Sequence, residues 1–286
     1  MTATRTLGDA HVFPIGLGGM PLSLEGRPDE DQSIRTIHAA LDAGVNLIDT
    51  ADAYAYDDAD VGHNERLIAK ALRGRRDGVV VATKGGHTRR GQAWEVDGRP
   101  EHIRAACEAS LAALETDVID LYQFHRPDPA VPYAESIGAF RELQDAGKVR
   151  WVGVSNASVE QLSEALAVVD VVSVQNQLAL DFTAPIERGE LAAATERGLA
   201  FLPWSPLGGI GNADGTGDVS PVKEAAERHG VSPQQVVLAW LLALSPFVIP
   251  IPGSSRPETI VDSARAVELT LSDDERQAIS AAVGVG

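Results

Sequence analysis

The chain has 286 residues, of which 44% are hydrophobic and 23% charged; these values exclude disorder and leave room for one large α/β domain or two small ones. Its 24 basic and 41 acidic side chains give a formal net charge of −17, which argues against nucleic-acid and acidic-membrane partners because both repel such a surface. A single cysteine, Cys107, cannot close an internal disulfide and points to a reducing compartment.

The first residues lead into Gly8-Asp9 with no apolar stretch, so no signal peptide is expected. No apolar run approaches the ~18 residues of a membrane span, and the reading is of a soluble cytoplasmic protein. From there short β-branched runs alternate with runs of helical period. After an N-terminal segment or hairpin, strand 12–17 precedes a helix at 31–43, strand 45–49 a helix at 63–73, and strand 78–83 a helix at 100–115. Strand 118–124 then leads to helix 134–146, strand 150–154 to helix 158–168, and strand 170–175 to helix 187–197. Strand 199–203 runs into the glycine-rich stretch 208–217, and helix 232–244 precedes strand 247–251. Helices at 257–267 and 273–282 complete the chain.

Several helix ends are legible. Ser158 with Gln161, and Ser272 with Glu275, have capping-box spacing. Ser232-Pro233 places a capping serine before a proline at the first helical position. Gly44, Gly74, Gly147 and Gly198 each follow a helical run where a left-handed residue closes it. Eight βα units with no compositional break predict a single α/β domain over 1–286, a (β/α)8 TIM barrel with the N-terminal segment or hairpin and extra C-terminal helices.

Active sites of such barrels lie at the carboxyl ends of the strands. Here those ends read Asp49-Thr50 with Tyr54 close behind, Lys84, His125, Ser155-Asn156, Gln175-Asn176, Trp204-Ser205 and Gly253-Ser254-Ser255-Arg256. Asp49, Tyr54, Lys84 and His125 form a chemically coherent set. An ammonium beside a phenol lowers the phenol's pKa, and an aspartate holds the ammonium in place. A neutral histidine can orient a substrate oxygen. The set suits protonation of an oxygen as it becomes an alkoxide, and the hydride for such a reduction must come from a nicotinamide cofactor.

With these residues the sequence resembles an aldo-keto reductase. The resemblance rests on Asn46-Leu-Ile-Asp49-Thr-Ala-Asp-Ala-Tyr54, Thr83-Lys84, Gln123-Phe-His125, Gly153-Val-Ser155-Asn156, Gln175-Asn176, Trp204-Ser-Pro-Leu207 and Ile251-Pro-Gly-Ser-Ser-Arg256, in order along nearly the whole chain. It implies NAD(P)H-dependent reduction of an aldehyde or ketone, with Tyr54 as general acid, Lys84 and Asp49 tuning it, and His125 orienting the carbonyl. It also implies that Ser155, Asn156 and Gln175 hold the nicotinamide carboxamide and that Trp204 stacks on its ring. Gly19 and Met20 would lie along the ribose, and Ser205, Leu207 and Gly209 along the pyrophosphate. Ser254 and Arg256 would face the adenosine phosphate end, with Asp262 at the adenine. The forked donors of Arg256 favour NADPH, with NADH as the alternative. Family members are mostly monomeric, and a monomer is expected.

Gly16-Leu-Gly18-Gly19 lacks the spacing of a Rossmann fingerprint, and no metal-ligand spacing occurs, so no metal is expected. Three other readings share parts of the pattern. They are a cofactor-binding regulatory subunit without turnover, a nucleotide-sugar enoyl- or ketoreductase, and a barrel aldolase using Lys84 as Schiff-base nucleophile. Substrate choice would fall to loops 20–28, 53–62, 86–98, 126–132 and 208–218, with Tyr56 and Trp94 as apolar walls.

Overall fold

A computed structural model of the chain describes residues 4–285, the side chains at 214 and 216 excepted. Residues 1–3, part of the stretch read for a leader, lie outside the described residues. The strands are β1 (Arg5–Leu7), β2 (Ala10–Val12), β3 (Leu17–Gly18), β4 (Leu47–Asp49), β5 (Val80–Gly85), β6 (His87–Arg90), β7 (Ala93–Val96), β8 (Ile119–Phe124), β9 (Val149–Ser155), β10 (Val171–Gln175) and β11 (Ala200–Phe201). The helices are α1 (Glu30–Asp42), α2 (His63–Ala71), α3 (Pro100–Ala113), α4 (Tyr133–Asp145), α5 (Val159–Leu166), α6 (Ala184–Glu187), α7 (Glu190–Glu196), α8 (Ser220–His229), α9 (Pro233–Leu244), α10 (Pro257–Ala264) and α11 (Asp273–Ala282).

Seven of the strands form one parallel sheet in the order β11-β10-β9-β8-β5-β4-β3, the curled sheet of an α/β barrel. The eighth stretch, expected as strand 247–251, is extended chain. Phe201 N donates to Phe247 O and Ile249 N to Phe201 O, while Gly16 and Gly18 N donate to Pro250 and Pro252 O. It therefore bonds to β11 on one side and to the β3 segment on the other. Pro250 and Pro252 have no N–H to give, which breaks the ladder into isolated bridges.

Strand parity sorts the core into two parts. Leu47, Val80, Ala82, Leu121, Trp151, Ala200, Leu202, Ile249 and Ile251 pack together inside the barrel, with Leu7 and Val12 of the N-terminal hairpin as a plug. Their neighbours of opposite parity, among them Ile48, Val81, Tyr122, Val152 and Val174, pack outward with the helices. The β1–β2 turn passes so close to Trp151 that a Cβ on Gly8 would lie 2.6 Å from its ring.

Four local expectations are corrected. The run 12–17 divides between hairpin and barrel, because Pro14 interrupts it. The helix at 187–197 is two short ones, α6 and α7, separated by Gly189 at φ +82°. Residues 86–98, read as a loop, hold the antiparallel ribbon β6–β7, which turns at Gly91 with φ +55°. Helix α8 had no counterpart in the sequence reading, although a proline in its first turn and the left-handed Gly230 mark its ends. Both capping boxes form, at Ser158 with Gln161 and at Ser272 with Glu275. No helix among the described residues is long and apolar enough to cross a membrane.

Candidate active site

The parity that fills the barrel also builds its mouth. Continuing each inward row by two residues gives Asp49 after Leu47, Lys84 after Val80 and Ala82, and Gln123 then His125 after Leu121. The same step gives Ser155 beyond Trp151 and Gly153, Gln175 beyond Ser173, and Trp204 beyond Ala200 and Leu202. Every one of these polar or aromatic groups thus stands on top of the apolar core.

Lys84 is at the centre and is fully buried. Its Nζ donates to Asp49 Oδ2 at 2.7 Å, to Thr50 O at 2.7 Å and to the Tyr54 hydroxyl at 3.1 Å, which uses all three ammonium protons. Asp49 accepts further bonds at Oδ1 from Gln175 Nε2 at 2.7 Å and from Gln123 Nε2 at 3.4 Å. The His125 ring stands edge-on to Tyr54, with centroids 5.8 Å apart.

These contacts set the titration of the site. Burial alone would pull Lys84 down, but Asp49 and Tyr54 outweigh it and hold the ammonium above its ordinary value. Burial pushes Tyr54 above its ordinary 10 and exceeds the opposing pull of Lys84, so the phenol keeps its proton. The sequence reading expected Lys84 to bring the phenol down. That pull exists, but desolvation is larger in the free protein. Burial, and then His87, Lys84 and Arg126, push His125 well below its ordinary value, leaving a neutral imidazole. The set is a buried, neutral O–H donor backed by a fixed cation, beside a neutral imidazole. Such a pair can give a proton to, and hydrogen-bond, a carbonyl oxygen.

Residues expected to face a cofactor surround this centre. Ser155 Oγ donates to Gln175 O at 2.8 Å, and Asn156, at φ +56°, gives its amide to His125 O at 2.9 Å. Through Gln175 and Asn156 this side is bonded directly to Asp49 and to the His125 backbone. The indole Nε1 of Trp204 is buried with no hydrogen-bond partner among the described residues. Gly19 leaves no room for a side chain, since a Cβ there would lie 2.6 Å from Asn64 Oδ1, and Met20 begins the short turn that follows. Ser205, Gly208 and Gly209 have φ of +50°, +82° and +92°, and a Cβ on Gly209 would meet nothing nearer than Ser205 Oγ at 3.7 Å. Leu207 between them packs against the core. Backbone of this kind, open on one side, offers N–H groups to phosphate oxygens.

At the far end Ser254 Oγ donates to Arg256 O at 3.0 Å, and the exposed Arg256 reaches Glu258 at 3.5 Å. Both oxygens of Asp262 accept bonds at 2.6 Å, from Ser232 Oγ and Gln235 Nε2 at the start of α9. Asp262 thus ties α10 to the start of α9. The orphan indole N–H, the open backbone and the exposed guanidinium of Arg256, held only by a 3.5 Å contact to the exposed Glu258, fit a dinucleotide with a phosphate-rich end. No group of three metal-ligating side chains occurs among the described residues.

Sequence reasoning missed three residues at this mouth. Gln123 stood inside a motif but was assigned nothing; His87 and Arg89 lay in a stretch read as loop. The signal that could have found them is the alternation across His87-Thr-Arg89-Arg-Gly-Gln-Ala-Trp94-Glu-Val, with a glycine at its centre.

Barrel and buried mouth together define an α/β-barrel enzyme. The family model described as the aldo/keto reductase family matches residues 14–283. The chain is 31% identical to a probable aldo-keto reductase 1 of Glycine max, over 96% of this chain and 87% of the relative. It is 34% identical to a 6-dehydroglucose reductase of Novosphingobium aromaticivorans, over 93% of this chain and 91% of that protein. Among solved structures, a glycerol dehydrogenase of Gluconobacter oxydans superposes with a TM-score of 0.85 at 28% identity, covering 99% of this chain and 95% of that one. An aldo-keto reductase of Klebsiella pneumoniae in complex with NADPH gives 0.84 at 28%, covering 100% and 96%. The chain belongs to the aldo/keto reductase family, and it is an oxidoreductase of carbonyl and alcohol groups.

Proposed function

We propose that the protein reduces an aldehyde or ketone to the alcohol with NADPH, and that Tyr54 supplies the proton. The observation that carries this reading is the triple bond pattern of Lys84, which joins Asp49, the Thr50 carbonyl and the Tyr54 hydroxyl in one buried chain. Bound NADPH supplies the hydride.

The chain's own residues do the rest. Tyr54 presents an O–H in a pocket that burial keeps protonated, and it passes that proton to the substrate oxygen as negative charge gathers there. Lys84 then stabilises the phenolate left behind, and Asp49 keeps Lys84 charged throughout. Neutral His125 holds the substrate oxygen against the phenol. Trp204, Ser155, Asn156 and Gln175 would hold the nicotinamide end, Gly19 and Met20 the ribose, and Ser205, Leu207 and Gly209 the pyrophosphate. Ser254 and Arg256 would hold the adenosine phosphate end. A lysine that Asp49 keeps as ammonium is a poor Schiff-base nucleophile, which disfavours the aldolase alternative.

The test is decay of NADPH absorbance over a panel of aldehydes and ketones, with Tyr54→Phe beside the wild type. The expected result is turnover by the wild type and a loss of about 10²–10⁴-fold in kcat in the variant, with NADPH affinity retained. NADPH binding without turnover on any carbonyl would favour the regulatory-subunit alternative, and failure to bind either nicotinamide cofactor would exclude the assignment.

A further inference from the structure

Resting on the reductase reading above, we propose that the substrate carries an anionic tail, a carboxylate or a phosphate, and that Arg89 on the rim ribbon binds it. The inference starts from a contrast between two arginines, neither of which has a carboxylate partner among the described residues. Arg5 is half-buried, and three backbone carbonyls, of Leu242, Ser245 and Val248, accept its N–H groups. Arg89 is more deeply buried, only 9% exposed, and has one accepting carbonyl, Tyr56 O at 2.9 Å. Its Nε and Nη1 are buried without a hydrogen-bond partner among the described residues. Among the described residues it forms no ion pair within 4.0 Å. A buried cation with free donors is costly to keep unless a ligand completes it.

Its position indicates the ligand. On β6, His87 and Arg89 share one face, and Trp94 on β7 stands directly opposite Arg89. That face looks into the mouth of the barrel: the His87 ring lies 4.2 Å from that of His125, and the Trp94 ring 6.4 Å from that of Tyr54. The guanidinium is therefore one aromatic ring removed from the phenol and imidazole that would take the carbonyl.

The surrounding charges are consistent with an anion. Arg126 is exposed, forms no ion pair among the described residues and adds positive potential, acting on both His87 and His125. The neighbouring carboxylates are engaged elsewhere. Asp97 pairs with Arg99, Asp128 accepts from Gly98 N and Ala130 N, and Asp57 accepts from Ala59 N and reaches Arg89 only through space. In a chain of net charge −17, Arg89 and Arg126 at this mouth form no ion pair among the described residues. Trp94 is the cover: its ring lies 4.1 Å from Arg89 Cζ, is 42% exposed and donates no hydrogen bond among the described residues. Turning it aside would uncover the two free donors for a carboxylate or phosphate oxygen.

The experiment compares kcat/KM, with saturating NADPH, for two matched pairs: 4-oxobutanoate against butanal, and glyceraldehyde 3-phosphate against glyceraldehyde. We expect the charged member of at least one pair to be favoured by about tenfold or more, and the preference to shrink between about 20 and about 500 mM salt. Which pair shows it distinguishes carboxylate from phosphate. Arg89→Met should bring that ratio close to one, and Arg89→Lys should recover part of it. Neutral aldehydes reduced as well as both charged partners would overturn the anionic tail while leaving the reductase reading intact, as would a preference unchanged in Arg89→Met. No reduction of any member, charged or neutral, would remove the reductase reading and the tail with it. The wild-type ratio and its salt dependence need no variant to fold.

Discussion

The floor of the barrel mouth and its rim differ in how their polar groups are satisfied. On the floor, every proton of the Lys84 ammonium has an acceptor, and Asp49 accepts from Lys84, Gln175 and Gln123. On the rim, Arg89 and His87 keep buried nitrogens without partners among the described residues, and ring contacts with Trp94 and His125 do much of the holding. The floor is preorganised: its charges are fixed by parallel strands whose inward rows converge on one point. The rim is a two-residue-turn ribbon whose donors remain available to whatever enters. One region suits a reaction step common to many carbonyls, the other a choice among them.

Removing a partner from the Lys84–Asp49 centre of the floor should have the largest effect. Lys84→Met leaves Asp49 buried beside an unpaired phenol, and we expect a loss of about 3–5 kcal/mol in stability, read by urea unfolding, together with loss of turnover. A variant as stable as the wild type would mean that the floor is not held by this pair.

Titration of the rim should have a smaller effect. Burial, and then Arg126, Lys84 and Arg89, pull His87 down from 6.5 to about 4. Between those two pH values the unfolded chain takes up a proton that the folded chain refuses, so stability should fall as pH drops across that window. The expected loss is about 1–2 kcal/mol after allowance for screening at a partly exposed site, and His87→Phe should flatten it. Unfolding curves collected from neutral pH downward would show this, and identical slopes in the two proteins would place the imidazole in water.

The smallest effect is expected at the tip of the ribbon. Gly91 holds φ +55°, and Gly91→Ala should cost about 1 kcal/mol, confined to the ribbon. Hydrogen exchange should then quicken at amides of 87–96 while those of β5 and β8 stay protected. Uniform quickening would make rim and floor one cooperative unit, against the distinction drawn here.

Much of the floor was legible in the sequence because two local rules suffice. Apolar runs place strands, and period-two alternation carries Asp49, Lys84, His125 and Gln175 into the barrel once its closure is assumed. Caps were equally local, and Ser158 and Ser272 form the bonds their spacing predicts. What was not legible depended on partners distant in sequence. Nothing near Asp262 indicates that Ser232 and Gln235 will engage it across 27–30 positions. Alternation in 87–96 is too short and too polar to read as strands without the mouth it covers.

By itself the sequence determined the βα rhythm and the two capping boxes, because each follows from spacing along the chain, and its motifs carried the resemblance to the family. Tertiary structure alone decided the protonation of Tyr54, which depends on the balance between desolvation and the field of Lys84. It also decided that Arg89 is buried with free donors while Arg5 is satisfied, since only the folded chain fixes which carbonyls each guanidinium can reach. Burial and charge pairing belong to residues brought together from far apart, and no local pattern encodes that balance.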